Sequence, residues 1–346
     1  MKISLMFLLK IGALILLIGI QSCNQEKVDF LGPAIAFAPD DFEVDTFSVS
    51  KNAIDFTKDS VVVNAKFSHS VSWILTFKGK QSGAVREMRG LSNELNELVW
   101  RGGHDNVKFF KTGESVSAIL SFFGTTETVS ETITLTREAN LKSCGLFPVG
   151  GDFENDAAID FPSWARFNVA DQGVDSAAID YNGKLVPSVQ GKSYYYLKGL
   201  GTQPVFVDGI QFLGPWSYTL PANPEEVWLN VHVYGTGDPN LRVDIELQEE
   251  DADGSSFGYT GTDDDAFVAT VIADHVGWKL FSFKYSDLSP SANADFGGSG
   301  NKTHEPDRMK SVVFVLLKSS NPDAPVELYF DYPIWTTGGP FKGCKL

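Results

Sequence analysis

The sequence predicts an all-β chain of two successive β-sandwich modules, and three observations lead there. Apolar and polar residues alternate with a period of two over short runs, clusters of Gly, Pro, Asp and Ser separate those runs, and no stretch holds a convincing helical period. With 43% apolar residues, the roughly 320 residues that follow the N-terminal leader suffice for two cored units.

The leader, residues 1–22, places Lys2 and Lys10 around an apolar stretch, then runs apolar from Ile11 to Ile20 and ends Gln21-Ser22-Cys23. Ten apolar residues are too few to span about 30 Å of hydrocarbon as a helix, so the segment reads as an export signal. A small residue directly before Cys23 resembles a bacterial lipobox, which implies Cys23 as the lipidated first residue of the mature chain. Simple cleavage near Ser22 is the alternative. Residues 23–38, with Gly32 and Pro33 and with Pro39 just beyond, read as a tether.

Residues 39–143 carry the first module: DTFSVS, SVVVNAKF, SVSWILTFKG, LNELVWRG, SVSAILSFFG and SETITLTR. Six short alternating runs in about 100 residues predict an immunoglobulin-like sandwich, with Trp73 and Trp100 in its core. The second module, residues 144–346, repeats the pattern in VWLNVHVYG, LRVDIELQEE, AFVATVI, WKLFSFKY, SVVFVLLK and VELYFDYPIW, and about 200 such residues predict a two-sheet jelly roll.

One strand of that module has an unusual second face. Val227, Leu229, Val231 and Val233 point to a core, which turns Trp228, Asn230, His232 and Tyr234 the other way. The following run behaves alike, with Arg242, Asp244, Glu246 and Gln248 opposite Leu241, Val243, Ile245 and Leu247. Rings beside paired donors and acceptors suit a neutral sugar, whose C–H faces lie on aromatic rings and whose hydroxyls take paired hydrogen bonds. The competing reading is a self-satisfied network of Arg242 with Asp244 or Glu246. Loop aromatics extend the candidate platform: Trp164, the SYYY stretch with Tyr195 at its centre, and Trp216 between turn residues. Trp278 and Trp335 lie in strand patterns and are read as structural.

Several of these patterns resemble carbohydrate-binding modules of the galactose-binding-like jelly-roll type, as in families 4 and 11. They are the opening VGGDFENDAAIDFPSW, the closing VELYFDYPIW with its central aspartate, and the GWKLFSFKYSDL between them. The first module resembles the PKD-like or Ig-like units that precede such domains, through its strand pattern and the VWRGG turn. Together with the lipobox, the chain is similar to surface glycan-binding lipoproteins of Bacteroidota-type polysaccharide-uptake systems. The resemblance implies capture of a neutral polysaccharide, a laminarin-type β-1,3-glucan first, for an outer-membrane importer, with a lipid anchor as the only membrane contact. It also sets first and last strands side by side. That implies a Cys144–Cys344 disulfide, with two free thiols as the alternative. It implies too a structural calcium at Asp152, Glu154 and Asp331, with solvated carboxylates as the alternative.

Charge and motifs narrow the function classes. Losing Lys2 and Lys10 with the leader takes the formal charge from −16 to −18. That balance excludes nucleic acid as a partner, disfavours anionic lipid, and argues against strongly anionic polysaccharides. No HExxH motif is present, and the five histidines show no metal spacing. Asp244 and Glu246, roughly 6 to 7 Å apart at strand rise, overlap the spacing of an inverting glycosidase pair, but the E-x-D-x-x-E motif of jelly-roll glucanases is missing. A non-catalytic binder is therefore expected, with a protein-adhesion lipoprotein and a hydrolase as alternatives.

Overall fold

A computed structural model describes residues 35–147, 153–154, 164–167, 171–180, 182–200, 206–213, 218–239, 241–249, 265–291, 300–317 and 325–346. The leader, the tether up to residue 34 and Cys23 lie outside these residues. Among the described residues the chain is built of β-strands and 3-10 turns, and no helix is long and apolar enough to cross a membrane.

The first module holds β1 (Val44–Val49), β2 (Ala53–Asp55), β3 (Val61–Gly79), β4 (Val85–Trp100), β5 (Ser115–Phe122) and β6 (Thr128–Arg137). They form one sheet in the order β1-β3-β5-β6-β2, with β4 also paired to β3. The two runs expected as separate strands, SVVVNAKF and SVSWILTFKG, are one strand creased at exposed Ser68-His69-Ser70, where the β3–β4 register shifts between Lys66 and Val71. Folding at that crease lets one sheet enclose its own core. Phe67 of the first half meets Phe122 with ring centroids 5.1 Å apart. Trp100 stacks on Phe77 at 4.1 Å and takes Phe56 and Phe110 on its edges.

In the second module come β7 (Trp164–Phe167), β8 (Asp171–Asp175), β9 (Tyr194–Leu200), β10 (Phe206–Leu213), β11 (Val227–Thr236), β12 (Arg242–Glu249), β13 (Asp265–Ile272), β14 (Val276–Lys284), β15 (Ser289–Pro290), β16 (Met309–Leu317) and β17 (Pro325–Thr337). Six strands in the order β15-β13-β12-β16-β10-β7 face five in the order β14-β11-β17-β9-β8. This is a two-sheet jelly-roll architecture. Alternate residues supply the core between the sheets: Val227, Leu229, Val231 and Val233 from one side, and Val243, Ile245 and Leu247 from the other. Phe314 and Phe330 stack across the gap at 4.1 Å.

The two ends of the second module are fastened to each other where they pack against the first. Leu146 and Trp335 exchange backbone hydrogen bonds of 3.0 and 2.8 Å, and Cys144 and Cys344 form a disulfide with Cα atoms 5.4 Å apart. The C-terminal tail then packs back on the first module, where Phe341 and Cys344 join its core. His104 donates its amide to Cys344 O at 2.7 Å. A Cβ on Gly103 would collide with the tail backbone at Cys344 and Leu346, so the close approach requires glycine there.

Candidate functional site

The row on β11 points away from the core as its period requires, but it is not a ligand surface at its centre. Asn230, His232 and Tyr234 are buried. Phe109 of the first module sets its ring edge against His232 at 5.7 Å and against Tyr332 at 4.6 Å. Asn230 accepts the Phe341 amide at 2.8 Å and donates to Ile334 O and Thr336 Oγ1. His232, assigned to glycan binding by the sequence, is instead an inter-module contact, and burial pushes its pKa down to about 4. Amide and imidazole occur in this row because a second polypeptide surface covers it. Trp228, at the strand's start, stays half-buried.

The tyrosine triplet also differs from expectation. It forms the start of β9, not a loop, so Tyr195 turns into the core and donates its hydroxyl to Gln172 Oε1 at 2.8 Å. A core phenol cannot stack on a sugar. Tyr194 is buried on the opposite face and accepts the Ala178 amide at 2.8 Å. Tyr196 remains half-exposed, with its hydroxyl on Asp171 at 3.0 Å and the Lys198 ammonium 5.5 Å from its ring centre. Beside this group lies Trp278, which sequence patterning marked as structural. Its indole is half-exposed, donates to Pro187 O at 2.5 Å, and is braced by the edges of Tyr234 and Tyr194 at 5.4 and 6.0 Å. The pairing of Tyr234 with Trp278 across β11 and β14 is the register signal that joins them. Trp164 opens β7 in register with Phe212, and Trp216 lies outside the described residues.

A different face gathers the remaining candidates. On the six-stranded sheet, Arg242, Asp244, Glu246 and Gln248 all turn away from the core. Register places Asp244 between Thr270 and Val315, Glu246 between Val268 and Val313, and Gln248 between Ala266 and Ser311. One strand further, Gln211 stands beside Val313. Polarity and burial are graded along this face. At the open end Arg242 donates twice to Asp244, at 3.2 and 3.0 Å, and Thr270 adds a hydroxyl at 2.7 Å. At the buried end Gln248 Oε1 accepts from Gln211 Nε2 at 2.8 Å and from the Ser311 hydroxyl. Between them sits Glu246, only 7% exposed, whose Oε2 has no hydrogen-bond partner among the described residues. Its burial, and secondly the Asp244 charge, push its carboxyl pKa up to about 7. Gln211 and Ser311 could not have been assigned from sequence, because their runs read as core strands and only strand order sets them beside Gln248.

Of the carboxylates expected to hold calcium, Glu154 and Asp331 lie among the described residues. Asp331 is buried on β17, and its Oδ2 accepts the amides of Val189 and Gln190 at 2.7 and 3.2 Å. Glu154 Oε1 accepts those of Lys192 and Ser193 at 2.8 and 2.9 Å. Gly191, at φ +62°, makes this turn possible, since a Cβ there would strike the Glu154 carboxyl. Burial pushes the Asp331 pKa up to about 7, against the pull of Lys111 and of the two amides. Among the described residues no three acidic, histidine or cysteine side chains converge as a metal site, and Asp152 lies outside those residues.

No family model matches the sequence, and no curated protein matches it. Solved structures do. A family 11 carbohydrate-binding module from Clostridium thermocellum, in complex with a β-1,3-1,4-mixed-linked tetrasaccharide, is 15% identical, covers 54% of this chain and 93% of its own, and has a TM-score of 0.36. SGBP-B from a complex xyloglucan utilization locus in Bacteroides uniformis is 11% identical over 87% of this chain and 74% of its own, with a TM-score of 0.36. An exo-β-agarase is 12% identical over 57% of this chain and 26% of its own, again with a TM-score of 0.36.

Proposed function

We propose that the protein is a non-catalytic receptor for a neutral polysaccharide, binding it on the outer face of the six-stranded sheet. The observation that carries this reading is that face itself: Arg242, Asp244, Glu246, Gln248, Gln211 and Ser311 lie contiguous on a rigid sheet and grade from open to buried. Paired amides and carboxyls in such a setting are what sugar hydroxyls require. A laminarin-type β-1,3-glucan is the first ligand to test, with Trp216 and Trp164 as ring contacts; Trp228, on β11 of the opposite sheet, does not reach this face. Lipidation at Cys23 after removal of residues 1–22, a place on the outer face of the outer membrane, and hand-over to an importer complete the proposal. In it residues 39–143 space the jelly roll of residues 144–346 away from the lipid. A structural calcium at Asp152, Glu154 and Asp331 belongs to the same proposal and would share the last two carboxylates with amides.

Binding is preferred to hydrolysis for a stated reason. Glu246 has the raised pKa of a general acid, but both oxygens of Asp244 are taken by Arg242 and Thr270. That leaves the second carboxylate poorly placed to activate water. One observation favours a protein-adhesion role instead: Ile179, Leu185 and Val276 are each more than half exposed. Calorimetry against a glycan panel, with product analysis, separates these readings. Heat without sugar release supports the receptor, released sugar the hydrolase, and silence on every glycan the adhesion module.

A further inference from the structure

Glu246 is the one residue of the sheet face whose polar atoms are not accounted for among the described residues that surround it. Its cross-strand neighbours, Val268 on β13 and Val313 on β16, offer nothing to a carboxylate. The guanidinium nearest along β12 is turned away, since Arg242 holds Asp244 through two N–H groups. An isolated anion buried in this way is far more costly than the neutral acid, which carries one O–H donor and keeps an acceptor. A buried, unmatched Oε2 is therefore a group waiting for an oxygen that none of these residues supplies.

We infer that Glu246 is the residue through which this face selects its ligand, donating a carboxyl hydrogen bond from Oε2 to a hydroxyl or ether oxygen of an uncharged glycan. The inference rests on the receptor reading above and adds to it the chemistry of selection. A uronate or sulfate brought to Glu246 would leave water for a buried carboxyl whose nearest described cation, Arg242, is already paired with Asp244. A neutral sugar oxygen meets no such barrier.

Binding then depends on pH in a fixed direction. Burial pushes the Glu246 pKa up to about 7, so the donor is present below that value and lost above it. Among the described residues the ionisable groups facing it are Asp244 and Arg242 on its own strand. From the neighbouring strands Val268, Thr270, Val313, Val315 and Gln211 face it, and none of these ionises. With only the protonated fraction competent, affinity at pH 8.5 falls about thirtyfold below that at pH 5.5.

The test is calorimetry of the full mature chain with laminarin and with a neutral glycan panel at both pH values, for the wild type, E246Q and E246A. The amide of E246Q still donates, so its affinity should match the acid-pH wild type at both pH values. E246A should lose about tenfold or more at acid pH. Carbon-13 titration of the Glu246 carboxyl, assigned by its loss in E246Q, should show a midpoint near 7 without any ligand. A wild type indifferent to pH, an E246Q as weak as E246A, or a carboxyl midpoint near 4.5 each overturns the inference while leaving the receptor intact. Heat from no glycan at either pH overturns the receptor reading and this inference together.

Discussion

Phe109 of the first module and His232 of the second meet edge to face, their ring centroids 5.7 Å apart at 67°. Phe109 also contacts Tyr332 and lies parallel to Phe341, with centroids 5.8 Å apart. One ring from the 39–143 segment is thus enclosed by three from the other module and its tail. F109A should cost about 3–5 kcal/mol, the usual range for a buried phenylalanine. Scanning calorimetry checks it: one cooperative transition in the wild type should split or broaden in the variant, because the modules lose their shared packing.

The disulfide fastens the same junction. Cys144 and Cys344 are separated by 200 residues, and closing so long a loop stabilises by about 4 to 5 kcal/mol on the chain-entropy model. Chemical denaturation of the C144S/C344S variant, or of reduced wild type, should show a loss of that order. A loss below about 1 kcal/mol contradicts the entropic account.

Stability should fall as pH rises from about 4.5 to about 8. Glu249 is fully buried, hydrogen-bonded by the Tyr285 hydroxyl and the Glu305 amide, and its pKa is pushed up to about 8, chiefly by burial. The folded state therefore holds a proton that the unfolded chain has released, and each pH increment in that window favours unfolding. Urea denaturation at pH 5.5 and 8.5 should differ by on the order of 3 kcal/mol for this group, and E249Q should remove that part of the difference.

Calcium removal tests the proposed ion. If Asp152, Glu154 and Asp331 hold one, EGTA lowers the melting temperature of the wild type and leaves a D152N variant unchanged. Equal melting with and without EGTA in the wild type removes the calcium from the account.

Much of this architecture was legible in the sequence, and what was not has a common cause. The alternation in VWLNVHVYG placed Val227 to Val233 in the core correctly, because a period of two fixes which side chains share a face. It could not say what lies over the other face. Asn230, His232 and Tyr234 are polar or amphipathic because Phe109, Phe341, Ala178 and Val186 pack over them, a relationship made by residues distant in the chain. Tyr195 was misread for a related reason. The SYYY stretch was read as a loop, yet β9 begins at Tyr194 and turns the middle tyrosine inward. Arg242, Asp244 and Glu246 were placed on the correct face, whereas their partners Gln211 and Ser311 depend on a strand order that no single run reveals.

The most direct measurement is calorimetric titration of neutral β-glucans into the mature chain and into an R242A/D244A variant that disarms the open end of the sheet. A dissociation constant of about 10⁻⁶ to 10⁻³ M for the wild type, weakened at least about tenfold in the variant with the melting curve preserved, is the predicted result. Equal isotherms for the two proteins, or no heat from any glycan, would contradict it.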